Sequence, residues 1–283
     1  MKIESVCHIY FSPTKTSREI AYAVSRAFPD QPKRDINLTV GAPELQVLKP
    51  EELAIIAVPV YGGHIAPIAL KRLQNVLGEQ TPVVLIAVYG NRSYGNTLVE
   101  LDAWSRRNGF VPVAAAAFIG EHSYNSSLYP IATGRPDEKD KAAALHLGQK
   151  VFAALSSSLS VETFLPIAAR KLKSPANDLA MWRFYTAVII ALKIKHVRVP
   201  VVPETDPLKC TGCGVCARVC PTGAIDVQHP GLSDPKACIR CCACVKSCPE
   251  AARSYQTPFA PILARTMKKR KDPMFVLAGM KGE

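Results

Sequence analysis

The chain has 283 residues, 48% of them hydrophobic, and a formal net charge of +12. That length suits two domains, the apolar share excludes a disordered chain, and the basic excess leaves nucleic acid or an acidic partner to be weighed. No charge-free apolar stretch of roughly 18 residues is present, and the start lacks the apolar run and cleavage site of a signal peptide, so the sequence reads as cytoplasmic with no transmembrane segment.

In chain order, strands are expected at residues 6–11, 35–38, 53–61, 83–89 and 111–119. Helices are expected at 17–28, 68–77, 97–108 and 138–155. The runs "LAIIAVPVY", "VVLIAVY" and "VPVAAAAFI" are continuously apolar rather than alternating, which is the pattern of parallel strands buried on both faces. Strands alternating with helices predict a doubly wound α/β fold with a five-stranded parallel sheet. In "GRPDEKD" (134–140), Pro136, Asp137 and Glu138 suit a helix start and need no further role.

Such folds bind ligands beyond the carboxyl ends of their strands, where three loops stand out. "FSPTKTSREI" (11–20) places Ser12, Thr14, Lys15, Thr16 and Ser17 between a strand end and a helix start. That chemistry suits a phosphate, though hydroxyls also cap helices with no ligand present. Neither a Walker loop nor G-x-G-x-x-G is present. "PVYGGHIAP" (59–67) carries Tyr61, Gly62, Gly63 and His64, and "VYGNRSYGN" (88–96) carries Gly90, Asn91 and Tyr94. Aromatics at two neighbouring strand ends can sandwich a flat ring, and ordinary turn chemistry is the alternative. "EHSY" (121–124) follows the fifth strand and is read either as a plain loop or as a contact to a ring or to the second domain.

Residues 158–199 form a helical linker. Within it, 179–194 ("LAMWRFYTAVIIALKI") is expected to pack between or under the domains, with membrane-surface contact as the alternative. Then come Cys210, Cys213, Cys216 and Cys220-Pro221, repeated as Cys238, Cys241, Cys244 and Cys248-Pro249. Two identical C-x2-C-x2-C-x3-C-P runs fit iron–sulfur chemistry, whereas zinc sites favour paired ligands, often with histidine. The spacer between them is expected to be a short strand, a turn and a return. Cys242 is an extra thiol, read as a small buried side chain or a sensing group, and Cys7 is read as core. The end, with its basic run "RTMKKRKDP" (265–273), is expected to be a solvated tail, least ordered in its last dozen residues, or a dock for an acidic partner or a membrane surface.

Residues 200–256 resemble the bacterial two-cluster ferredoxins, in which the fourth cysteine of each run serves the other cluster. The resemblance implies one 4Fe-4S cluster on Cys210, Cys213, Cys216 and Cys248, and a second on Cys238, Cys241, Cys244 and Cys220. The three N-terminal loops resemble those of flavodoxins. That implies FMN, with its phosphate at Ser12, Thr14, Lys15, Thr16 and Ser17 and its ring between Tyr61, Gly62, Gly63 and His64 and Gly90, Asn91 and Tyr94. Lys15 departs from the glycine usual there. The whole chain is similar to the EFR-type ferredoxin family, a flavodoxin-like domain (1–157) joined through a linker (158–199) to a two-cluster domain (200–256) and a basic tail (257–283).

Bound clusters and an FMN phosphate would bring the net charge to about +6, which weakens the case for nucleic acid, and no nucleic-acid motif is present. Three readings follow. The first is an electron carrier between FMN, two clusters and a partner redox protein. The second is an FMN- and iron–sulfur-dependent reductase of a small acceptor such as a quinone or nitro compound. The third is an interaction or sensing protein with structural clusters.

Overall fold

The computed structural model describes residues 1–175, 179–194 and 196–280. The parts of the expected linker and tail at 176–178, 195 and 281–283 lie outside the described residues.

In chain order the elements are β1 (Ser5–Tyr10), α1 (Thr16–Ser25), β2 (Lys33–Asn37), β3 (Gln46–Leu48), β4 (Glu52–Tyr61), β5 (His64–Ile65), α2 (Pro67–Leu73), β6 (Val76–Gly78), β7 (Thr81–Tyr89), α3 (Thr97–Arg107), β8 (Phe110–Ile119) and α4 (Glu138–Ser157). There follow α5 (Ala169–Leu172), α6 (Leu179–Ile189) with a π-helical turn over Ile190–Ile194, β9 (Glu204–Thr205), α7 (Val215–Arg218), α8 (Ala243–Lys246), β10 (Arg253–Ser254), α9 (Phe259–Thr266) and β11 (Met274–Leu277). The chain forms two compact units. One holds Met1–Gly120, Gly134–Pro175 and the segment from Lys271 onward, and the other holds Glu121–Thr133 and the stretch that ends at Arg270.

In the first unit the strands lie in the order β2-β1-β4-β7-β8, all parallel. This is the doubly wound order of flavodoxin-like folds. Every residue of β7 is buried, as are nine of the ten in β8, which explains why these strands read as unbroken apolar runs. On α1 the 3.6-residue period puts Ile20, Ala21 and Val24 in the core at 0% exposure. α4 starts in a reciprocal cap. The Asp140 N–H donates to the Asp137 carboxylate at 3.1 Å and the Asp137 N–H to the Asp140 carboxylate at 2.9 Å.

Four expectations need correction. The helix expected at 68–77 stops at Leu73. The Asn75 carbonyl accepts from the Gln46 N–H at 2.8 Å, and 76–78 continues as β6 beside β3. The solvated tail is not one: β11 pairs antiparallel with Ala114–Ala117 of β8, closing an edge that would otherwise expose unpaired backbone groups. The domain boundaries shift accordingly, because residues 158–175 and 271–280 lie with the first unit and 121–133 with the second. Finally, the spacer between the cysteine runs forms turns rather than strands. It is closed by the Asp234 N–H on the Ala224 carbonyl at 2.7 Å.

In the second unit β9 and β10 pair antiparallel, so the chain entering the first cysteine run is joined to the chain leaving the second. α6 packs Met181 and Phe184 against Leu263 and Met267 at α9.

Candidate functional site

Each cysteine run crosses a tight turn and enters a one-turn helix, α7 or α8, carrying its third cysteine. The fourth cysteine follows the helix and is carried away from the other three. As a result Cys210, Cys213, Cys216 and Cys248 line one hollow, together with Pro249. Cys220, Cys238, Cys241 and Cys244 line a second, together with Pro221. Each hollow is thus lined by three cysteines of one run and the fourth of the other. Among the described residues no three His, Cys, Asp or Glu are close enough to hold a single metal ion. An all-sulfur ring around a hollow fits a cubane. Burial pushes the free Cys241 thiol up to about 12 and raises Cys244 as well, so a thiolate here depends on the metal it binds.

The two halves repeat in backbone detail. The Ala224 N–H donates to Cys220 Sγ and the Ala252 N–H to Cys248 Sγ, both at 3.3 Å. Gly212, Gly214 and Gly223 have positive φ, where glycine is unstrained. Their counterparts in the second run are Arg240, Cys242 and Ala251, and all three keep positive φ without being glycine. Cys242 thus holds the left-handed position that Gly214 holds in the first run, with its side chain 2% exposed.

Arg253 staples the second unit. Its guanidinium donates to the Pro230 carbonyl at 2.8 Å, Thr205 Oγ1 at 3.1 Å and Ser233 Oγ at 2.5 Å. The "EHSY" loop belongs to this unit. Glu121 pairs with Lys246 of α8, and Tyr124 packs at a tilt of 50° against Tyr255 with centroids 5.3 Å apart. The His122 Nδ1 accepts the Tyr124 N–H at 3.0 Å. Beside them a cavity of about 760 Å³ is lined by Tyr124, Tyr129, Arg198, Tyr255 and Gln256 and reaches Cys242.

The three loops of the first unit stand at the carboxyl ends of β1, β4 and β7. In the first, Ser12 is tied down at both ends: its N–H donates to Thr39 Oγ1 at 2.7 Å, and its Oγ accepts the Arg18 N–H at 3.1 Å. Lys15 immediately precedes α1 with φ 70°, a left-handed conformation that favours glycine. The Ser17 hydroxyl in the first turn of α1 is fully buried with no partner. An acceptor at the helix start, such as a phosphate oxygen, would satisfy it, so the loop fits a phosphate group. Thr14 and Thr16 are half-buried on the same turn.

The second and third loops touch. The Asn96 N–H donates to the Gly63 carbonyl at 2.8 Å, and Gly62 and Gly63 turn the chain from β4 into β5 with φ 64° and 96°. Tyr61 is half-buried at the end of β4. His64 is exposed and pairs with Glu100, which also takes the Ile65 N–H at 3.0 Å. Gly90 is half-buried and Asn91 is buried with φ 63°. Tyr94 does not present a face to a ligand. It is 2% exposed, and its hydroxyl donates to the Lys173 carbonyl at 2.9 Å, so it braces the loop from behind. Thr39, Glu100, Lys173 and Ser174 were not singled out by the sequence. Ser174 holds the third loop through Ser93 Oγ at 2.8 Å and the Gly95 carbonyl at 3.2 Å, and all four act through polar contacts to loops far along the chain, for which no local pattern exists.

Residues 203–226 match the family model described as a 4Fe-4S binding domain. No curated protein matches the chain. Among solved structures, a flavodoxin from the domain Archaea is 11% identical with a TM-score of 0.37, over 54% of this chain and 99% of its own. The rubredoxin oxygen:oxidoreductase of Desulfovibrio gigas is 15% identical with a TM-score of 0.37, and a flavodiiron core from Synechocystis is 14% identical with a TM-score of 0.39. Each of these two matches over 55% of this chain but only 37% and 36% of its own length. The chain thus joins a flavodoxin-like α/β unit, identified by its strand order, to a 4Fe-4S binding segment, identified by its family model.

Proposed function

We propose that the protein carries electrons between an FMN in the first unit and two 4Fe-4S clusters in the second, and exchanges them with a partner redox protein. The reading rests on the exchange of Cys220 and Cys248 between the two hollows, which gives each a complete ring of four sulfurs. It includes the cluster ligands as grouped above, and membership of the EFR-type ferredoxin family. FMN supplies one- or two-electron chemistry and each cluster one-electron chemistry, so a chain holding both can split electron pairs.

The chain's own residues position and insulate these groups. Ser12, Thr14, Thr16, Ser17 and the N–H groups opening α1 would bind the phosphate, with Lys15 adding charge. Tyr61, Gly62 and Gly63 and the Gly90–Asn91 turn would border the ring, with His64 at the solvent side. The amides of Ala224 and Ala252 donate to sulfur, which stabilises negative charge on a ligating thiolate. The burial of Cys216, Cys241 and Cys244 keeps water from part of each hollow.

The test is the ratio of iron to flavin in anaerobically purified protein. About eight irons and one FMN per chain are expected. About eight irons with no flavin, and none taken up on adding FMN, would overturn the flavin half. About four irons would overturn the second cluster.

The cavity beside Cys242 favours a second reading, in which a small planar acceptor is reduced by the protein itself. Its volume lies in the range of small-molecule sites, and three tyrosines and two arginines line it. Turnover of a soluble quinone without a partner protein would support this reading, and its absence would leave the carrier.

A further inference from the structure

We propose that the outer face of α6 docks on an anionic lipid surface, with the helix lying in the plane of the interface. The helix is apolar except at Arg183 and Thr186. Its inner arc, Met181 and Phe184, is buried against the α9 region. Its outer arc is not covered: Leu179 is 70% exposed, Trp182 64%, Tyr185 45% and Ile189 53%, and Ile194 in the following turn is 68% exposed. At about 100° per residue these α6 positions fall on one side of the helix. The polar residues on that side are Arg183 and Thr186, and the Thr186 hydroxyl is already spent on the Trp182 carbonyl at 2.9 Å.

Charge selects lipid as the occupant and fixes its sign. Residues 179–200 and 257–270, which include the two packed helices, contain eight Lys or Arg and no Asp or Glu. Lys193, Arg198, Lys268 and Lys269 are exposed. An apolar helix face with Trp and Tyr, in segments whose charged residues are all cations, is the composition of interfacial helices on anionic membranes. Spanning is not the alternative. Residues 179–194 rise only about 24 Å, and no helix among the described residues is long and apolar enough to cross a membrane.

The test is co-sedimentation of the full-length holoprotein with vesicles of phosphatidylcholine alone, or of phosphatidylcholine with about a third phosphatidylglycerol. Binding is expected only to the anionic vesicles. It should fall steeply as salt rises and be accompanied by a blue shift of tryptophan emission, which reports Trp182 because Trp104 is buried. Ile189→Glu and Trp182→Glu should each lower the bound fraction at least about tenfold with iron and flavin content unchanged. Lys268→Glu with Lys269→Glu should move the loss of binding to lower salt. Failure to bind anionic vesicles overturns the proposal, as does binding that Ile189→Glu leaves intact. A concentration-dependent dimer abolished by Ile189→Glu, with no vesicle binding, would assign the face to a second copy of the chain instead.

Discussion

Gly63 and Gly95 meet backbone to backbone: a Cβ placed on Gly95 would stand 2.4 Å from the Gly63 carbonyl oxygen, at a residue whose φ is already +54°. The loops after β4 and β7 are therefore held as one unit. Gly95→Ala must either push the loops apart or lose the Asn96–Gly63 hydrogen bond, on top of left-handed strain. A loss of about 2–4 kcal/mol is expected in urea unfolding. Gly62→Ala is the control. Gly62 also has positive φ, but nothing lies within 4 Å of its Cβ position, so only about 1 kcal/mol should be lost. Equal costs for the two variants would refute the close-approach argument.

Lys15 bears left-handed strain, and its backbone contacts, its N–H to the Ser12 carbonyl at 3.1 Å and its carbonyl from the Glu19 N–H at 3.0 Å, are ones a glycine would keep. Lys15→Gly should raise stability by about 0.5–1 kcal/mol, while Lys15→Ala should leave it nearly unchanged. If the loop holds a phosphate, Lys15→Gly should also weaken FMN binding through the lost charge. Thermal unfolding of the two variants and flavin titration read these effects separately. A destabilised Lys15→Gly would show that the lysine side chain, rather than the turn, carries the loop.

His8 gives the first unit a pH dependence. It is 3% exposed on β1, with Nδ1 2.9 Å from Asp35 Oδ1 and Nε2 buried without a partner. Burial lowers its pKa, against the opposing pull of Asp35. Burial alone would raise Asp35, but hydrogen bonds from Tyr22, His8 and Tyr10 lower it overall. Both shifts have the same sign for stability. Below about pH 6.5 the unfolded chain takes up a proton that folded His8 resists, and nearer pH 4 the same holds for Asp35. Stability should fall with pH from about 6.5 downward, by at most about 1.4 kcal/mol per pH unit for one proton. His8→Gln should flatten that slope between about pH 5.5 and 6.5. An unchanged urea-midpoint profile would exclude His8 as its source.

The sheet was legible because burial on both faces leaves the middles of β4, β7 and β8 apolar, and the cysteine runs were legible because spacing fixes their chemistry. β11 was not, because Met274–Leu277 is a short apolar run behind a basic one, and only the open edge of β8 gives it a partner. Tyr94 was misplaced because an aromatic beside Gly and Asn reads equally well as a surface ring or as a buried brace. Which it is depends on Lys173, 79 residues on. The membership of residues 121–133 is likewise invisible locally, since it rests on Glu121 meeting Lys246 and Tyr124 meeting Tyr255.

The exchange of fourth cysteines has a direct readout. Cys248→Ala should remove the iron held with Cys210, Cys213 and Cys216, and Cys220→Ala that held with Cys238, Cys241 and Cys244. Each variant should retain about four irons. Adding Cys213→Ala to Cys248→Ala should remove no more iron, whereas adding Cys241→Ala should abolish it. The reverse pattern would mean that each run keeps its own fourth cysteine.

Cys242 separates a thiol with a task from a side chain that a repeat has tolerated. It stands where Gly214 stands in the first run, at φ 59° against 69°, and it is buried. Nothing about the backbone asks for a cysteine there. Cys242→Gly should relieve left-handed strain of about 1 kcal/mol, offset in part by the loss of a small buried side chain, so stability should change by less than about 1 kcal/mol. Iron content and the cluster EPR signal should be unchanged. Cys242→Val should be worse on both counts, because a β-branched residue is poorly suited to positive φ. Lost iron in Cys242→Gly would instead make the ninth cysteine of the two runs part of the cluster chemistry.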